Sequence, residues 1–367
     1  MLILLVFSAL ISVLLFFLYT MASYWRYKLQ IKKLPLRDDL PFYFLPLKEN
    51  LNSGQRAPAK VYLIHGTFAV SAPLKDWVRV IEKRIPKLAT FLFHLSKIII
   101  DIIYSRASDV GIFLDDYAEK LKYHYNLNCS LFYWSGHNDH YARLTAAFKL
   151  IDQIKKDNVS EKEIILVGHS HGGSILAICT QIIYNANFLQ QLEKTLPTNS
   201  TEFHPGLNET KKNALELKNK KWSIITLGMA PRYHFYPHSN ISILNLIHSP
   251  KAFAYSRHWP SLFYGPKGDL IQQWALSGSD TKSLDFKIRN INKKLDLILD
   301  QGCNLFTWGH EIKKLKRISP YGKTILLEFD GGYSIVNAVK SIMGHGQYTQ
   351  LKYLPDLWQI IFKHLEQ

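Results

Sequence analysis

A serine flanked by glycines stands in residues 168–173, where the chain reads Gly-His-Ser-His-Gly-Gly. The apolar residues 164–167 before it predict a buried strand, and the apolar residues 175–178 after it predict a helix. A serine on such a sharp strand-to-helix turn exposes its hydroxyl, and the residues two before and two after it must be small because they pass close together. The two glycines meet that need. The pattern predicts that Ser170 is a nucleophile, and the alternative is a glycine-rich turn with an incidental serine.

Backbone amides that could stabilise an oxyanion are expected at two places. The first is the amide of His171, which follows the serine at the N-terminus of the predicted helix. The second follows residues 61–64, an apolar stretch that predicts a strand and ends in a His-Gly pair. Because the glycine lets the backbone turn, the amide of Thr67 or Phe68 could face the nucleophile.

These segments resemble those of lipase/esterase-type members of the α/β-hydrolase superfamily. The resemblance rests on His65-Gly66-Thr67-Phe68, on the turn at 168–173 and on Thr226-Leu227-Gly228-Met229-Ala230-Pro231 at the end of the next predicted strand. Residues 132–136, with Asn138 and Arg143, are similar to a feature of some bacterial members. The similarity spans roughly residues 60–235 and implies a doubly wound, mostly parallel α/β sheet with no metal or organic cofactor.

A general base is needed beside the serine, and the family order of serine, acid and histidine places it after the last strand. Of the 15 histidines, His345 and His364 follow residues 324–329, the predicted last strand. His364 lies in an amphipathic run that predicts a terminal helix. His345 lies between two glycines, in a loop that could reach across the strand ends, and we predict it as the base. The alternative is a solvated loop histidine.

The acid is harder to predict from the sequence. Family members usually place it just after the seventh strand, but no carboxylate lies in residues 248–251, directly after the predicted strand 241–247. Asp269 follows next, in a Gly-Asp-Leu-Ile-Gln segment that resembles the acid turn of several lipases. We predict Asp269 as the acid. Asp330, directly after the last strand, is the rival, and other carboxylates or a serine–histidine dyad remain open.

Residues 59–367 alternate between predicted strands and helices, which is typical of parallel β-α-β units with sites at the carboxyl ends of the strands. The predicted strands are 60–64, 129–134, 164–167, 223–227, 241–247 and 324–329, and the predicted helices include 77–84, 111–125, 139–156 and one that begins at 171. Two insertions interrupt this hydrolase domain. Residues 187–221 are polar and predict a surface excursion, and the aromatic-rich residues 251–320 could form a cap over the site.

Residues 1–24 carry no charged side chain and are mostly aliphatic or aromatic. A helix of this length reaches roughly the 30 Å of a membrane hydrocarbon core. We therefore predict a single transmembrane anchor rather than a cleaved signal peptide, followed by a linker over residues 25–58. Basic residues follow the segment and none precedes it, so the body is predicted to face the cytoplasm. The apolar residues 91–104 contain two charges and predict a packed helix or an interfacial lid.

Composition narrows the class of protein. With 47% hydrophobic and 20% charged residues, the chain can form a large core and is not disordered as a whole. Three cysteines without paired spacing argue against a disulfide framework and a Cys-rich zinc site. The formal net charge of +16 favours anionic partners. Since the chain has no nucleic-acid motif, a membrane is the predicted partner.

The sequence therefore predicts a membrane-anchored serine hydrolase that cleaves carboxylic esters or thioesters, of small molecules or lipids, through an acyl-enzyme. Ser170 attacks, His345 transfers the proton and Asp269 supports it. Alanine at either elbow histidine, His169 or His171, is expected to cost less than loss of the base, because their backbones matter more than their rings. The competing hypothesis is a non-catalytic membrane-tethered scaffold that retains the fold.

Overall fold

The computed structural model describes eleven stretches of the chain. They are residues 42–46, 59–66, 111–157, 163–196, 204–229, 232–248, 269, 271–272, 286–299, 319–329 and 344–365. These stretches form one parallel sheet with packed helices, so the predicted α/β class is confirmed.

The sheet contains seven described strands, all parallel, in the order β1-β7-β6-β5-β4-β2-β3. The strands are β1 Phe42–Pro46, β2 Lys60–Ile64, β3 Asn128–Phe132, β4 Glu163–His169, β5 Lys221–Leu227, β6 Ile241–His248 and β7 Lys323–Glu328. The central strands are near-continuous apolar runs because helices cover both of their faces.

Seven helices are described. They are α1 Asp115–Tyr125, α2 His140–Lys156, α3 His171–Tyr184, α4 Ala186–Thr195, α5 His204–Leu217, α6 Phe286–Leu299 and α7 Leu354–Leu365. Short 3-10 turns at Gln347–Thr349 and Leu351–Tyr353 precede α7.

Two hydrophobic cores lie on the two faces of the sheet, because successive side chains of a strand point to opposite sides. On one face β2 shares a core with α1 and α7, and on the other it shares a core with α2 and α3. The residues concerned are Val61, Leu63, Tyr117 and Trp358 on the first face and Tyr62, Ile64, Leu144 and Leu176 on the second.

The order of the strands reverses between β2 and β4. From β2 the chain continues to β3 at one edge of the sheet, and then returns to β4 on the other side of β2. A crevice forms outside the carboxyl ends of the strands at such a reversal, and ligands of open α/β sheets bind there. Since Ile64 is paired with Gly168, the segments that follow β2 and β4 begin side by side.

The two predicted insertions contain described helices. Residues 187–221 hold most of α4 and all of α5, and α5 is attached to α2 because Thr210 and Asn213 donate hydrogen bonds to Asp152. Residues 251–320 hold α6, in which Asn292 accepts a hydrogen bond from the backbone N–H of Tyr141 at 2.7 Å. The capping role of this insertion remains a prediction.

The predicted transmembrane helix requires a correction. Within the described ranges, every helix is too short or too polar to span a bilayer, so the structure does not support a membrane-spanning element in the fold class. The segment for which we predicted it, residues 1–24, lies outside the described residues, as do the apolar residues 91–104. The predicted linker, residues 25–58, contains β1, which pairs with β7 and so belongs to the sheet.

Candidate active site

Ser170 lies on a strained turn between β4 and α3. Its φ of 54° and ψ of −124° put a residue with a side chain into a backbone region that favours glycine. The turn is held because the Ser170 N–H donates a hydrogen bond to the Leu227 carbonyl at 2.9 Å and the Gly173 N–H donates to the Ser170 carbonyl at 3.0 Å. This is the conformation expected of a nucleophile elbow.

The glycines around Ser170 are required by close approach of backbone segments. A Cβ on Gly172 would collide with the carbonyl oxygen of Ile64, and one on Gly168 would lie 2.5 Å from the nitrogen of Gly173. On the neighbouring loop, a Cβ on Gly66 would lie 2.7 Å from the Cβ of Ser170. The loop after β2 therefore passes directly beside the serine.

The two predicted oxyanion donors differ in what the structure describes. His171 is the first residue of α3, so its amide lies at the positive end of the helix dipole beside Ser170. Thr67 and Phe68 lie outside the described residues. The described residue before them, Gly66, follows β2 and carries a carbonyl whose orientation is fixed by the side chain of His65.

That orientation follows from the tautomer of His65. The backbone N–H of Trp134 lies 3.3 Å from Nε2 of His65, which must therefore accept, so Nδ1 carries the proton and donates to the Gly66 carbonyl at 2.7 Å. Trp134 also stacks on the imidazole and donates its indole N–H to the His65 carbonyl at 2.9 Å. Burial lowers the pKa of His65, which keeps the ring neutral, as this arrangement requires.

Asp269 and His345 form a buried pair. Nδ1 of His345 lies 2.8 Å from both carboxylate oxygens of Asp269. Asp269 is fully buried and His345 is 7% exposed. Nε2 of His345 is buried and has no hydrogen-bond partner among the described residues. A histidine oriented by a carboxylate at Nδ1, with Nε2 available, has the arrangement of a general base.

The carboxylate of Asp269 is held in its ionised form. Burial alone would raise its pKa, but the charge of His345 and hydrogen bonds from His345, the Gln272 N–H and the Tyr348 hydroxyl outweigh burial and lower it. Burial and the neighbouring carboxylate raise the pKa of Tyr348 well above its ordinary value, so the phenol remains a donor to Asp269. The Tyr348 oxygen also accepts the N–H of His248 at 2.6 Å.

Asp269 lies beside the end of β6 even though the strand ends 21 residues earlier in the chain. The Asp269 N–H donates a hydrogen bond to the carbonyl of His248, the last residue of β6, at 2.8 Å. Asp269 therefore lies next to the carboxyl end of this strand, which is where the resemblance implies an acid. The rival Asp330 lies outside the described residues.

His364, the second histidine after β7, lies near the amino ends of the strands. Its Nδ1 is 2.9 Å from the amine of Lys323, which is the first residue of β7. Ser170 follows the last residue of β4, and the sheet is parallel, so the two residues lie beyond opposite ends of the strands. His364 is therefore excluded as the partner of Ser170.

The ring of His169 has contacts that the sequence did not predict. It is buried, with Nε2 2.8 Å from the His345 carbonyl and Nδ1 3.1 Å from the Gly111 carbonyl. Its centroid lies 4.7 Å from that of the His345 ring. Burial, followed by the charge of His345, lowers the pKa of His169 to about 3 despite the two carbonyls, so the ring is neutral near neutral pH.

This lowered pKa predicts a loss of stability in acid. The unfolded chain binds a proton below its ordinary pKa of 6.5, whereas the folded ring stays neutral until about 3. The free energy of unfolding is therefore not reduced by this group above the unfolded pKa of 6.5. It falls as the pH drops from 6.5 towards the folded pKa of about 3. Between about pH 7 and pH 4, we expect wild type to lose up to about 1.4 kcal/mol per pH unit relative to His169→Gln. Denaturant unfolding across this range checks it, and parallel curves for the two proteins would contradict it.

A second buried polar cluster joins the loops after β3 and β5 to α6. Arg143, which is fully buried, donates to the Tyr233 hydroxyl at 2.8 Å and to Asn138 at 2.9 Å. His140 lies 2.6 Å from the same hydroxyl and 3.1 Å from Asp296 of α6. The cluster attaches the insertion helix to the carboxyl side of the sheet. Among the described residues, no group of three or more His, Cys, Asp or Glu side chains is arranged to hold a metal ion.

Sequence reasoning missed two residues that contact the pair. The Tyr348 hydroxyl bonds to Asp269, and the His169 ring bonds to the His345 backbone. No local motif marks either residue, because both contacts join segments that are distant in the sequence. The only signal for His169 was its place in the chain, because the residue before an elbow serine is the last residue of the strand and lies beside the site.

Comparison with models of protein families, with curated proteins and with solved structures finds no match. The functional argument therefore rests on the geometry of the site and on the α/β fold.

Proposed function

We propose that this protein is a serine hydrolase of the α/β-hydrolase type that cleaves carboxylic esters or thioesters through an acyl-enzyme. The observation that carries the proposal is the buried Asp269–His345 pair, which accompanies a serine in a strained strand-to-helix turn. Neither feature alone would suffice, since buried His–Asp pairs also occur in structural networks.

In the proposed mechanism, the Ser170 hydroxyl attacks the carbonyl carbon of the substrate. Nε2 of His345 accepts the hydroxyl proton, and Asp269 stabilises the resulting imidazolium through Nδ1. The tetrahedral intermediate collapses as the imidazolium returns the proton to the leaving alcohol or thiol. A water molecule, activated by the same nitrogen, then hydrolyses the acyl-enzyme and restores Ser170.

Negative charge that develops on the substrate oxygen needs donors. The amide of His171 is one proposed donor, because it lies at the positive end of α3. The amide of Thr67 or Phe68 is the other, and the bond from His65 to the Gly66 carbonyl supports it by fixing the backbone that leads into this segment. Backbone donors suit this role because they need no reorganisation during the reaction.

The scaffold hypothesis loses its main argument. That argument would be a missing acid, because a serine–histidine pair without one lacks the group that orients its base, and Asp269 lies within hydrogen-bond distance of His345. An ionised carboxylate with three donors is the state that an acid of a triad requires. We therefore favour the catalytic proposal.

Labelling with a fluorescent phosphonate tests the proposal, since such reagents modify activated serines. We expect the wild-type protein to be labelled and Ser170→Ala to be unlabelled. Ser135→Ala is the matched control, because Ser135 is an exposed serine in the loop after β3 and should leave labelling unchanged. Wild-type protein that is folded but unlabelled, or equal labelling of Ser170→Ala, would refute the proposal.

A further inference from the structure

The loop that carries His345 is attached to the segment around Gly111. The Gly111 N–H donates to the Thr349 hydroxyl at 2.7 Å, and that hydroxyl donates to the Gly346 carbonyl at 3.2 Å. The Gly111 carbonyl faces the ring of His169 at 3.1 Å. The base loop, the Gly111 segment and the nucleophile turn are thus joined around one buried imidazole.

Only one of the two ring contacts of His169 is a hydrogen bond when the ring is neutral. Both facing atoms are carbonyl oxygens, and a neutral imidazole has a single N–H. The contact of Nε2 with the His345 carbonyl, at 2.8 Å, is shorter than that of Nδ1 with the Gly111 carbonyl, at 3.1 Å. The proton therefore lies on Nε2, which donates a hydrogen bond to the backbone carbonyl of His345.

We propose that His169 is a positioning residue that holds His345 in register with the nucleophile by bonding its backbone carbonyl. This inference rests on the proposed function. His169 is joined to Ser170 by one peptide bond, so the hydrogen bond connects the base to the nucleophile through a short, buried path. The side chain of Asp269 fixes the imidazole of His345 at Nδ1, and His169 fixes its backbone.

Both constraints are needed because a base must lie within hydrogen-bond reach of the proton that it accepts. A carboxylate at Nδ1 restricts the tautomer and the plane of the ring, but it does not fix the backbone of His345. Other bonds of this loop are made three and four residues later, at Tyr348 and Thr349. A misplacement of about 1 Å can cost on the order of 100-fold in rate. The ring of His169 therefore contributes to catalysis without contacting the substrate.

Two amide substitutions and one apolar substitution separate positioning from packing. A glutamine at 169 can place its amide nitrogen close to where Nε2 lies, and so can donate to the His345 carbonyl. An asparagine is shorter and can place its amide only near Nδ1, on the side of Gly111. Both are uncharged and polar, but glutamine is also closer to histidine in volume. Methionine has the length of glutamine and no N–H donor, so His169→Met fills the same space without the hydrogen bond and is the packing control.

The experiment measures kcat and KM on a short-chain nitrophenyl ester for the wild type, His169→Ala, His169→Gln, His169→Asn and His169→Met. We expect alanine to lower kcat by about 10- to 100-fold with KM within about twofold, because only alignment is lost. Glutamine should recover most of kcat, and asparagine and methionine should remain near the alanine value. Equal rates for glutamine and methionine, or an alanine variant above half of the wild-type kcat, would overturn the inference.

A measurement without turnover distinguishes this failure from that of the proposed function. The proton between Nδ1 of His345 and Asp269 is observable by NMR in histidine-labelled protein. We expect its resonance in wild type and His169→Gln, and its loss or broadening in His169→Ala and His169→Asn. If all four proteins keep an identical resonance, the positioning role is refuted. If the resonances differ as expected but the wild type does not hydrolyse esters, the proposed function fails, and what stands is that His169 orients the Asp269–His345 pair.

Discussion

Replacement of Ser170 or His345 by alanine is expected to abolish ester turnover almost completely, and the double variant should be no worse than either single one. Without the imidazole the serine hydroxyl is a poor nucleophile, and without the hydroxyl the imidazole has no proton to accept. Residues that act as one unit have strongly non-additive effects, with losses on the order of 10⁵-fold or more for each. The measurement is kcat/KM on a short-chain nitrophenyl ester for both single variants and the double.

His364→Ala is the control for this prediction. It removes the other histidine that follows β7, but this side chain bonds to Lys323, which lies at the amino end of that strand. We therefore expect it to retain turnover. Near-normal activity in His345→Ala would contradict the triad and point to a histidine of the insertion, such as His258 or His310, both outside the described residues.

The elbow could be predicted from the sequence because its requirements are local. A buried strand, a turn with two glycines and a helix are consecutive in the chain, and steric crowding at the turn dictates small residues. The structure gives the same reason in atomic detail, since a Cβ on Gly168 or Gly172 would collide with neighbouring backbone. The parallel strands were predictable for a similar reason, because burial on both faces leaves continuous apolar runs.

From the sequence alone, Asp269 could only be ranked above Asp330 as the candidate acid, because it is distant in the chain from the end of β6. β6 ends at His248, and 20 residues separate it from Asp269. A hydrogen bond from the Asp269 N–H to the His248 carbonyl nevertheless holds Asp269 beside the end of the strand. The composition of residues 249–268 does not predict this contact between Asp269 and the end of β6.

The partners of the pair could not be predicted at all. Tyr348 contacts Asp269 across 79 residues, and His169 contacts the backbone of His345 across 176. Such contacts depend on the tertiary packing of the loop over the sheet edge. That alanine at His169 costs less than loss of the base stays a prediction, whereas the buried contact of its ring with the His345 backbone is one that the sequence did not predict.

Asp269→Asn is expected to lower kcat by about 10³- to 10⁴-fold while leaving the fold intact. The asparagine amide has nearly the same shape, so the bonds from the Gln272 N–H and the Tyr348 hydroxyl can be made to its carbonyl oxygen. Its NH₂ group, however, can donate to Nδ1 of His345. The ring would then carry its proton on Nε2, where it cannot accept one from Ser170.

Asp330→Asn is the matched control, because it makes the same chemical change at the rival carboxylate. We expect kcat to fall far more for Asp269→Asn than for Asp330→Asn, with KM little changed in either, because the acid orients the base and does not bind the substrate. Thermal unfolding of both variants checks that the fold survives. The reverse ranking of kcat would move the acid to Asp330. Equal and small losses would instead mean that Ser170 and His345 work as a dyad, with the buried carboxylate contributing to stability rather than to the chemical step.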